Sequence, residues 1–493
     1  MATVTDRLEE VLEREAPVWG IRPVPAEHRR LSAFDVGVLW GNLSIGLLVL
    51  LTGALLVPAL GFPQALAAIA IGSVIGSVPL ALVGLAGARE GVPTMVLFRP
   101  VLGLRGSYLP SVLNIVQLIG WTGFEFWAMA GVADQMSVRL FGFSNYGMWL
   151  AVTALVCTAL ALGGPILVVR RWLERFAAWV VAAVALWVTI RVLGTAHLGT
   201  IWHRPGAGGL PFWLGVDLVI AQPVSWLPLV ADYNRFVRGR GGPAASTFGG
   251  YAVGNFWFYA LGALLALSAG LPEASPTGLA GSMASVAGGW VVLLALLAGE
   301  THNGFADIYS TAVSAQNLRD RLHQRWTILA VALVGAALAL WFHGRPGEGA
   351  LVFESFLFLL GSVFVPLFGV FVADYFLLRR SPGGGGGGAA AAAAGQEPAP
   401  GTSGGPRVRA RALAAWLVGF AVYQWSVPTG PSWWVSAART VLHGWLHLPI
   451  AAAGSPAGAS VPSFAAALAV TLLLALVPGG VRARGSASPA APR

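Results

Sequence analysis

Polar and acidic residues follow directly on an apolar run near position 300. The run covers residues 290–298, and the polar residues recur behind it at helical intervals: Glu300, Asn303, Asp307 and Ser314. Residues with this spacing share one face of a helix, so they form a polar stripe with apolar flanks. A carboxylate near the centre of a bilayer costs about 2.5–3.5 kcal/mol on insertion scales. We therefore predict that the stripe faces a cavity and that Asp307 belongs to a functional site.

A second set of side chains has the composition of a binding site for a flat heterocyclic ring. Its members are three or four residues apart: Asn114, Gln117, Trp121 and Glu125. A ring can stack on the Trp121 indole, while the carboxylate and the amides bond to ring N–H and exocyclic amino groups. Packing alone could also explain Trp121. A buried hydrogen bond to another helix could explain Glu125 or Asp307, so both interpretations stay open.

A third polar set lies in the segment 222–233, which contains two prolines. Gln222, Ser225 and Trp226 could close the other side of the same ring, although in a chain with 20 tryptophans Trp226 could equally be a packing residue. Proline removes a backbone donor and interrupts a helix. We therefore predict two broken membrane helices, one in segment 222–233 and one in the glycine-containing segment 40–46. Their free backbone groups can hold a substrate or an ion.

The composition requires a membrane to surround these elements. The chain has 493 residues, of which 56% are hydrophobic and 10% charged, against about 25% charged in an ordinary soluble protein. The single cysteine, Cys157, excludes an intramolecular disulfide framework. A polytopic membrane protein is predicted.

About twelve stretches are long and apolar enough to cross a bilayer, which needs about 20 residues in a helix. The segment 431–460 between the last two could be an interfacial helix or a re-entrant segment. The predicted spans are residues 35–58, 65–87, 110–137, 147–168, 173–194, 212–236, 247–270, 287–317, 326–343, 352–378, 408–427 and 462–478.

The positive charges indicate the orientation of these spans. All 30 basic residues are arginine, and with 21 acids they produce the formal charge of +9. With the N-terminus inside, 25 arginines fall in segments predicted to be cytoplasmic, as the positive-inside rule requires. The net charge is therefore a topology signal. We expect no nucleic-acid partner, both termini in the cytoplasm and a location in the cell membrane.

Composition also divides the chain. The run 381–406 contains six consecutive glycines and six consecutive alanines, which predicts a disordered linker. The predicted organisation begins with a cytoplasmic tail (residues 1–34) and a ten-helix core (35–380), in which helices one to five and six to ten are inverted repeats. The linker (381–406), two accessory helices (407–478) and a second cytoplasmic tail (479–493) follow.

Together these motifs resemble the nucleobase:cation symporter-1 family, in particular its purine-cytosine permease and hydroxymethylpyrimidine transporter branch. The resemblance covers roughly residues 18–380. The segments that carry it are 20–25 (GIRPVP), 35–46, 98–108 (FRPVLGLRGSY), 117–125, 225–235 and 301–316.

The resemblance implies the amino-acid:sodium symporter fold and a ring bound between aromatic side chains of helices three and six. It implies that Trp121 stacks on the ring. Glu125 stands where relatives often have glutamine, and Asp307 where they often have asparagine. On helix six the aromatic position of the family falls on Pro223, with Trp226 three residues later. The substrate-binding set is predicted to be Gln117, Trp121, Glu125, Gln222, Ser225, Trp226, Asn303 and Asp307.

The resemblance also implies a cation site between helix one and helix eight. In sodium-coupled relatives a hydroxyl pair on helix eight helps to hold the ion, and here the matching pair is Thr301 and His302. Imidazole titrates near neutrality and is a poor ligand for an alkali ion, so sodium and proton coupling both stay open. The predicted site is Gly41, Asn42, Ser44, Thr301 and His302.

The predicted function is import of a nucleobase or related amino-pyrimidine, such as cytosine or hydroxymethylpyrimidine, by cation symport. Hydantoin, allantoin or a thiamine-like cation is the alternative substrate, and a non-transporting receptor that retains the pocket is the alternative from another class. The sequence has no metal-ligand spacing, phosphate-binding loop or nucleophile elbow. We therefore expect no cofactor and no enzyme activity, and a monomer in the lipid bilayer.

Overall fold

A computed structural model describes residues 19–167, 178–239, 242–271, 274–287, 290–345, 348–378, 407–449 and 457–477. The predicted linker 381–406, the tail 479–493 and most of the tail 1–34 lie outside these residues. The described part is helical apart from its loops and one parallel bridge between Leu31 and Val237.

Sixteen helices of the described part are labelled here in chain order. They are α1 (Ala33–Leu43), α2 (Leu47–Leu55), α3 (Phe62–Glu90), α4 (Tyr108–Phe141), α5 (Tyr146–Leu167), α6 (Ala178–Thr195), α7 (Phe212–Trp226), α8 (Val230–Asn234), α9 (Pro243–Ala269), α10 (Pro276–Ala287), α11 (Trp290–Leu318), α12 (Gln324–His343), α13 (Gly349–Phe371), α14 (Ala410–Ser426), α15 (Ser432–Arg439) and α16 (Ser460–Leu476).

Each of the twelve predicted spans coincides with one of these helices or with a pair of them. By length and apolar composition alone, six helices of the described part can each cross a membrane, and the bent pair α1 and α2 makes a seventh. The remaining spans are shorter or more polar. Helix α11, for example, carries the acidic stripe. The predicted polytopic, all-helical architecture is therefore confirmed.

One short helix differs from the sequence prediction, and the segment 431–460 contains a helix of the kind that the prediction left open. Helix α10 was not predicted, because its small residues and short length produce no long apolar run. The segment 431–460 contains the surface helix α15, followed by a π-helical turn, Thr440–Trp445, and neither has a buried side chain.

Packing divides the core into two groups of helices. Helix α9 packs on α1, α2 and α3, and α3 also packs on α7 and α8. Helix α4 packs on α11, α12 and α5. Among the ten spans of the core, the first two of each set of five (spans one, two, six and seven) belong to the first group. The third and fourth of each set (spans three, four, eight and nine) belong to the second group. This is the relationship expected of two structural repeats, with a binding site between the groups.

Two spans of the first group are broken near their middle. Helix α1 ends at Leu43 and α2 begins at Leu47, with a bend of 56° between them. Helix α7 ends at Trp226, and Pro228 lies in the gap before α8. Proline has no N–H to continue the helical ladder, so the chain turns here and leaves backbone carbonyls free. These breaks lie in the two segments for which the sequence predicts them.

The accessory helix α16 is tied to the first half of the sixth span by a buried carboxylate. Asp217 of α7 accepts hydrogen bonds from the backbone N–H groups of Ala459 (2.6 Å) and Ser460 (3.0 Å). These N–H groups belong to the first turn of α16 and have no partner within the helix. The position of α16 on the core therefore depends on Asp217.

Replacement of Asp217 by asparagine is expected to destabilise the protein by about 1–3 kcal/mol, because the amide accepts with only one of its two groups and carries no charge. A fall in the apparent Tm of the detergent-solubilised protein would show it. Asp320→Asn, at an exposed position, is the matched control. Equal Tm values for the two variants would contradict the role of Asp217.

Candidate functional site

Three carboxyl groups lie together in the interior, between the two groups of helices. Glu300 is 0% exposed, and Glu125 and Asp307 are each 2% exposed. Glu300 Oε2 accepts a hydrogen bond of 2.8 Å from the N–H of Leu47, the first residue of α2. Glu300 also contacts the Leu48 N–H, Asn303 and the Glu125 carboxyl group. The acidic stripe of α11 therefore meets both α4 and the break of the first span.

Sequence patterns assigned no role to Glu300. The structure shows why, because its hydrogen-bond partner lies on another helix. Its partner is a backbone N–H that becomes available only because the first span breaks at residues 44–46. An anionic group at a helix N-terminus is stabilised by the unpaired N–H groups and the helix dipole. Glu300 thus joins α11, in the second group of helices, to α2, in the first.

The close approach of Glu300 requires a glycine in the break. A Cβ atom at Gly46 would lie 2.7 Å from Glu300 Oε2 and 2.9 Å from Asn303 Nδ2. Separations below 3.0 Å are essentially never found for real Cβ atoms. A side chain at position 46 would therefore push the carboxylate away from α2.

Gly46→Ala is expected to lower transport strongly, because the methyl group would break the contact between Glu300 and Leu47. Initial uptake rates in cells with matched expression levels would measure the loss. Gly249→Ala on α9 is the control, since a Cβ atom at Gly249 meets nothing within 4 Å. Normal uptake by Gly46→Ala would mean that the contact is dispensable.

Trp121 lines the site from α4, one turn before Glu125. Its ring is 5% exposed and packs edge-on against Phe353 (centroids 5.7 Å apart) and Phe356 (5.3 Å) of α13. The indole Nε1 of Trp121 has no hydrogen-bond partner in the described part of the chain. The two phenylalanines were missed by sequence reasoning, although their spacing of three residues places them on one face of α13.

Trp226 belongs to a different aromatic cluster. It packs edge-on against Trp40 of α1, with ring centroids 6.1 Å apart, and Trp40 packs in the same way on Tyr233. The described residues include no ring contact between Trp121 and Trp226. The structure therefore places the two indoles on separate groups of helices.

Gln117 joins α4 to the break of the sixth span. Its Nε2 donates to Asn114 Oδ1 (2.7 Å) and to the backbone carbonyl of Ser225 (2.9 Å). The Ser225 hydroxyl donates to the Gln222 carbonyl of its own helix at 2.6 Å. Gln222 Oε1 in turn accepts from Thr52 of α2 at 3.4 Å. In this arrangement the carbonyl of Ser225, and not its hydroxyl, faces α4.

The residues predicted to form a cation site fall into two sets on facing helices. Asn42 Nδ2 lies 3.0 Å from His302 Nδ1, which connects α1 to α11. The hydroxyl groups bond within their own helices: Ser44 donates to the Gly41 carbonyl (2.8 Å) and Thr301 to the Ala298 carbonyl (2.7 Å). Asn42 Oδ1 and His302 Nε2 have no partner among the described residues.

A set of buried polar contacts surrounds α8. Arg235 is completely buried and donates to the Gly20 carbonyl and to the Tyr309 hydroxyl. Asp232 Oδ1 accepts from the N–H of Thr94 at 3.0 Å. These contacts join residues before α1, and the short helix Thr94–Leu97 that follows α3, to α8 and α11.

Comparisons with known proteins identify relatives of this chain. Residues 23–445 match the profile of a family described as permeases for cytosine/purines, uracil, thiamine and allantoin. The chain is 24% identical over 379 residues to the hydantoin permease of Microbacterium maritypicum, a match that covers 73% of this chain and 75% of the relative. It is 27% identical over 376 residues to a putative purine-cytosine permease of Bacillus subtilis, with coverages of 73% and 79%.

A solved structure has the same fold. The nucleobase-cation-symport-1 family transporter MHP1, in a closed conformation with bromovinylhydantoin bound, superposes with a TM-score of 0.72 at 22% identity. The superposition covers 92% of this chain and 94% of that one. This likeness confirms the predicted fold class.

Proposed function

The chain belongs to the family of permeases for cytosine/purines, uracil, thiamine and allantoin and is therefore an integral membrane transporter, not an enzyme; from this premise we propose that it is a secondary active importer of a nucleobase or related amino-pyrimidine. The family membership confirms the predicted resemblance to the nucleobase:cation symporter-1 family. Cytosine and hydroxymethylpyrimidine are the model substrates.

The observation that carries the proposal is the buried carboxyl group of Asp307, which interacts electrostatically with Glu125, one helical turn from Trp121. Asp307 is 2% exposed, and its carboxylate has no hydrogen-bond partner among the described residues. A buried carboxyl group without a partner loses the hydrogen bonds that it has in water, and a ligand with suitable donors restores them. The exocyclic amino group and ring N–H of an amino-pyrimidine are donors of the required kind, and the Trp121 face can stack on the ring.

The two groups of helices support an alternating-access mechanism. The substrate contacts from α4 and α11 lie on one group, and those from α7 lie on the other. The bonds between Glu300 and Leu47 and between Gln117 and Ser225 cross the boundary between the groups. Movement of one group against the other would break these bonds and open the site alternately to each side.

We assign the coupling cation to the region of Asn42 and His302, where α1 meets α11. The free Oδ1 of Asn42 is a suitable ligand for an alkali ion, whereas the free Nε2 of His302 can carry a proton. The geometry thus supports sodium or proton coupling at one place. Both termini are proposed to be cytoplasmic in the cell membrane, as the arginine distribution requires.

Counterflow in proteoliposomes is the test of the proposed function. Vesicles loaded with unlabelled base should accumulate labelled cytosine or hydroxymethylpyrimidine, and sodium and pH gradients imposed separately should identify the coupling cation. Hydantoin, allantoin and thiamine complete the panel, because the family and its relatives include their permeases. If the vesicles accumulated one of these compounds instead, that compound would be assigned as the substrate. No counterflow with any of them would favour a receptor that only binds.

A further inference from the structure

Among the residues that the structure describes, no arginine neutralises the three acids of the site. Glu125 and Glu300 lie within hydrogen-bonding reach of each other, and Asp307 is close enough to interact electrostatically with both. No arginine acts on any of the three among the described residues. Buried carboxylates this close together cannot all be ionised unless a positive charge lies beside them. Protonation can remove part of this charge, and a molecule that enters the site with a positive charge can balance the rest.

The polar atoms around the acids show what else that molecule must bring. Glu125 Oε2, Glu300 Oε1 and Asn303 Oδ1 are buried and receive no hydrogen bond from an N–H group in the described part of the protein, although a shared proton can join Glu125 to Glu300. Asn303 is 3% exposed, and its amide group contacts Glu300, so its free oxygen lies in the same region. Buried acceptors are expected to be hydrogen-bonded. The missing partners are N–H or O–H donors.

The acids of the site are not arranged to hold a metal ion. The described residues include no group of three or more histidine, cysteine, aspartate or glutamate side chains placed to hold a metal ion. A point cation needs several oxygens at one distance from a centre. A flat cation with several N–H groups fits better, because it can reach separate carboxylates while its face lies against the Trp121 indole, which also attracts positive charge.

We propose that the site binds its substrate as a planar cation with an amidinium-type edge, in which Glu125, Glu300 and Asp307 accept the N–H groups and Trp121 supports the ring. This inference rests on the proposed function and specifies its substrate class. Two parallel N–H donors match the two oxygens of a carboxylate. Rings whose edge carries carbonyl groups, such as uracil, would place acceptor against acceptor and are selected against.

Binding of a matched pair of compounds to the purified full-length protein tests the proposal. Benzamidine is a planar amidinium cation, and benzamide has the same size and shape but is neutral. Isothermal titration calorimetry in detergent at constant pH should show benzamidine bound at least about tenfold more tightly, since hydrogen bonds to charged groups are about twice as strong as neutral ones. A preference below threefold, or no binding of either compound, overturns the proposal.

Glutamine variants of the site acids show which residues cause the preference for benzamidine over benzamide. Glu300→Gln keeps an oxygen that can accept from Leu47 and should fold, but it should lower benzamidine affinity by a larger factor than benzamide affinity. Glu125→Gln should act in the same direction. Glu348→Gln, at an exposed position, is the control. An unchanged ratio in both site variants would show that the positive charge is recognised elsewhere.

The results also separate this proposal from the importer assignment. Counterflow of a neutral base without any preference for amidinium compounds would support the importer assignment and contradict the proposal that the substrate binds as a cation. An amidinium preference without counterflow of any compound would remove the importer and uphold the cation site.

Discussion

Asparagine in place of Asp307 is expected to lower uptake of an amino-pyrimidine by at least about tenfold, with a normal amount of protein in the membrane. The substitution keeps the shape of the side chain, but it replaces a carboxylate by a neutral amide. A hydrogen bond to a charged group contributes about 1.5–3 kcal/mol, which corresponds to a factor of roughly 10 to 150 in affinity. Since the carboxylate has no internal partner among the described residues, the loss should fall on substrate binding rather than on folding.

Initial rates of radiolabelled uptake over a range of substrate concentrations would measure this effect and separate KM from the maximal rate. Asp320→Asn, an identical chemical change at an exposed position after α11, should transport normally. Glu125→Gln should be impaired in the same sense as Asp307→Asn. If both site variants transported at the wild-type rate, the two acids would have to be removed from the substrate site.

Alanine in place of Trp121 is expected to weaken substrate binding by roughly tenfold to a hundredfold. Stacking of a nucleic-acid base on an aromatic side chain contributes about 1–3 kcal/mol by alanine substitution, and Trp121 is 5% exposed beside Glu125. Trp121→Phe keeps a flat face and should retain most of the affinity. Phe353 and Phe356, which pack edge-on against Trp121, would hold the smaller ring in place.

Equilibrium binding of a labelled substrate to the purified protein is the appropriate measurement, because it reports affinity without the transport cycle. Trp326→Ala is the control, since Trp326 is 73% exposed on α12. Equal affinity of wild-type protein and Trp121→Ala would remove the stacking arrangement, and attention would then move to Trp226.

Hydrophobic length and residue spacing made most of the fold predictable. Membrane spans depend on local runs of apolar residues, and breaks depend on proline and glycine within those runs. The spans and both breaks could therefore be located without a structure. Helix α10 could not, because a short helix rich in small residues has no such signature.

The faces of the binding helices were also predictable, but the contacts between helices were not. The spacing of Trp121 and Glu125, and that of Asn303 and Asp307, places each pair on one helical face. No periodicity indicates that Ser225 would direct its hydroxyl to its own helix, which serine side chains often do. Its carbonyl is available to Gln117 only because the sixth span breaks beside it.

By itself, the sequence determined that this protein is a polytopic membrane protein with acids in its spans, because charge and apolar length are properties of the local chain, and its motifs resemble those of a transporter family. Only the tertiary structure decided how those acids are used. Glu300 bonds to the start of α2 and faces Glu125, whereas Asp307 is left without a partner in the described residues. The physical reason is that a partner across the boundary between two helix groups depends on how those groups pack, and no spacing along one helix records it.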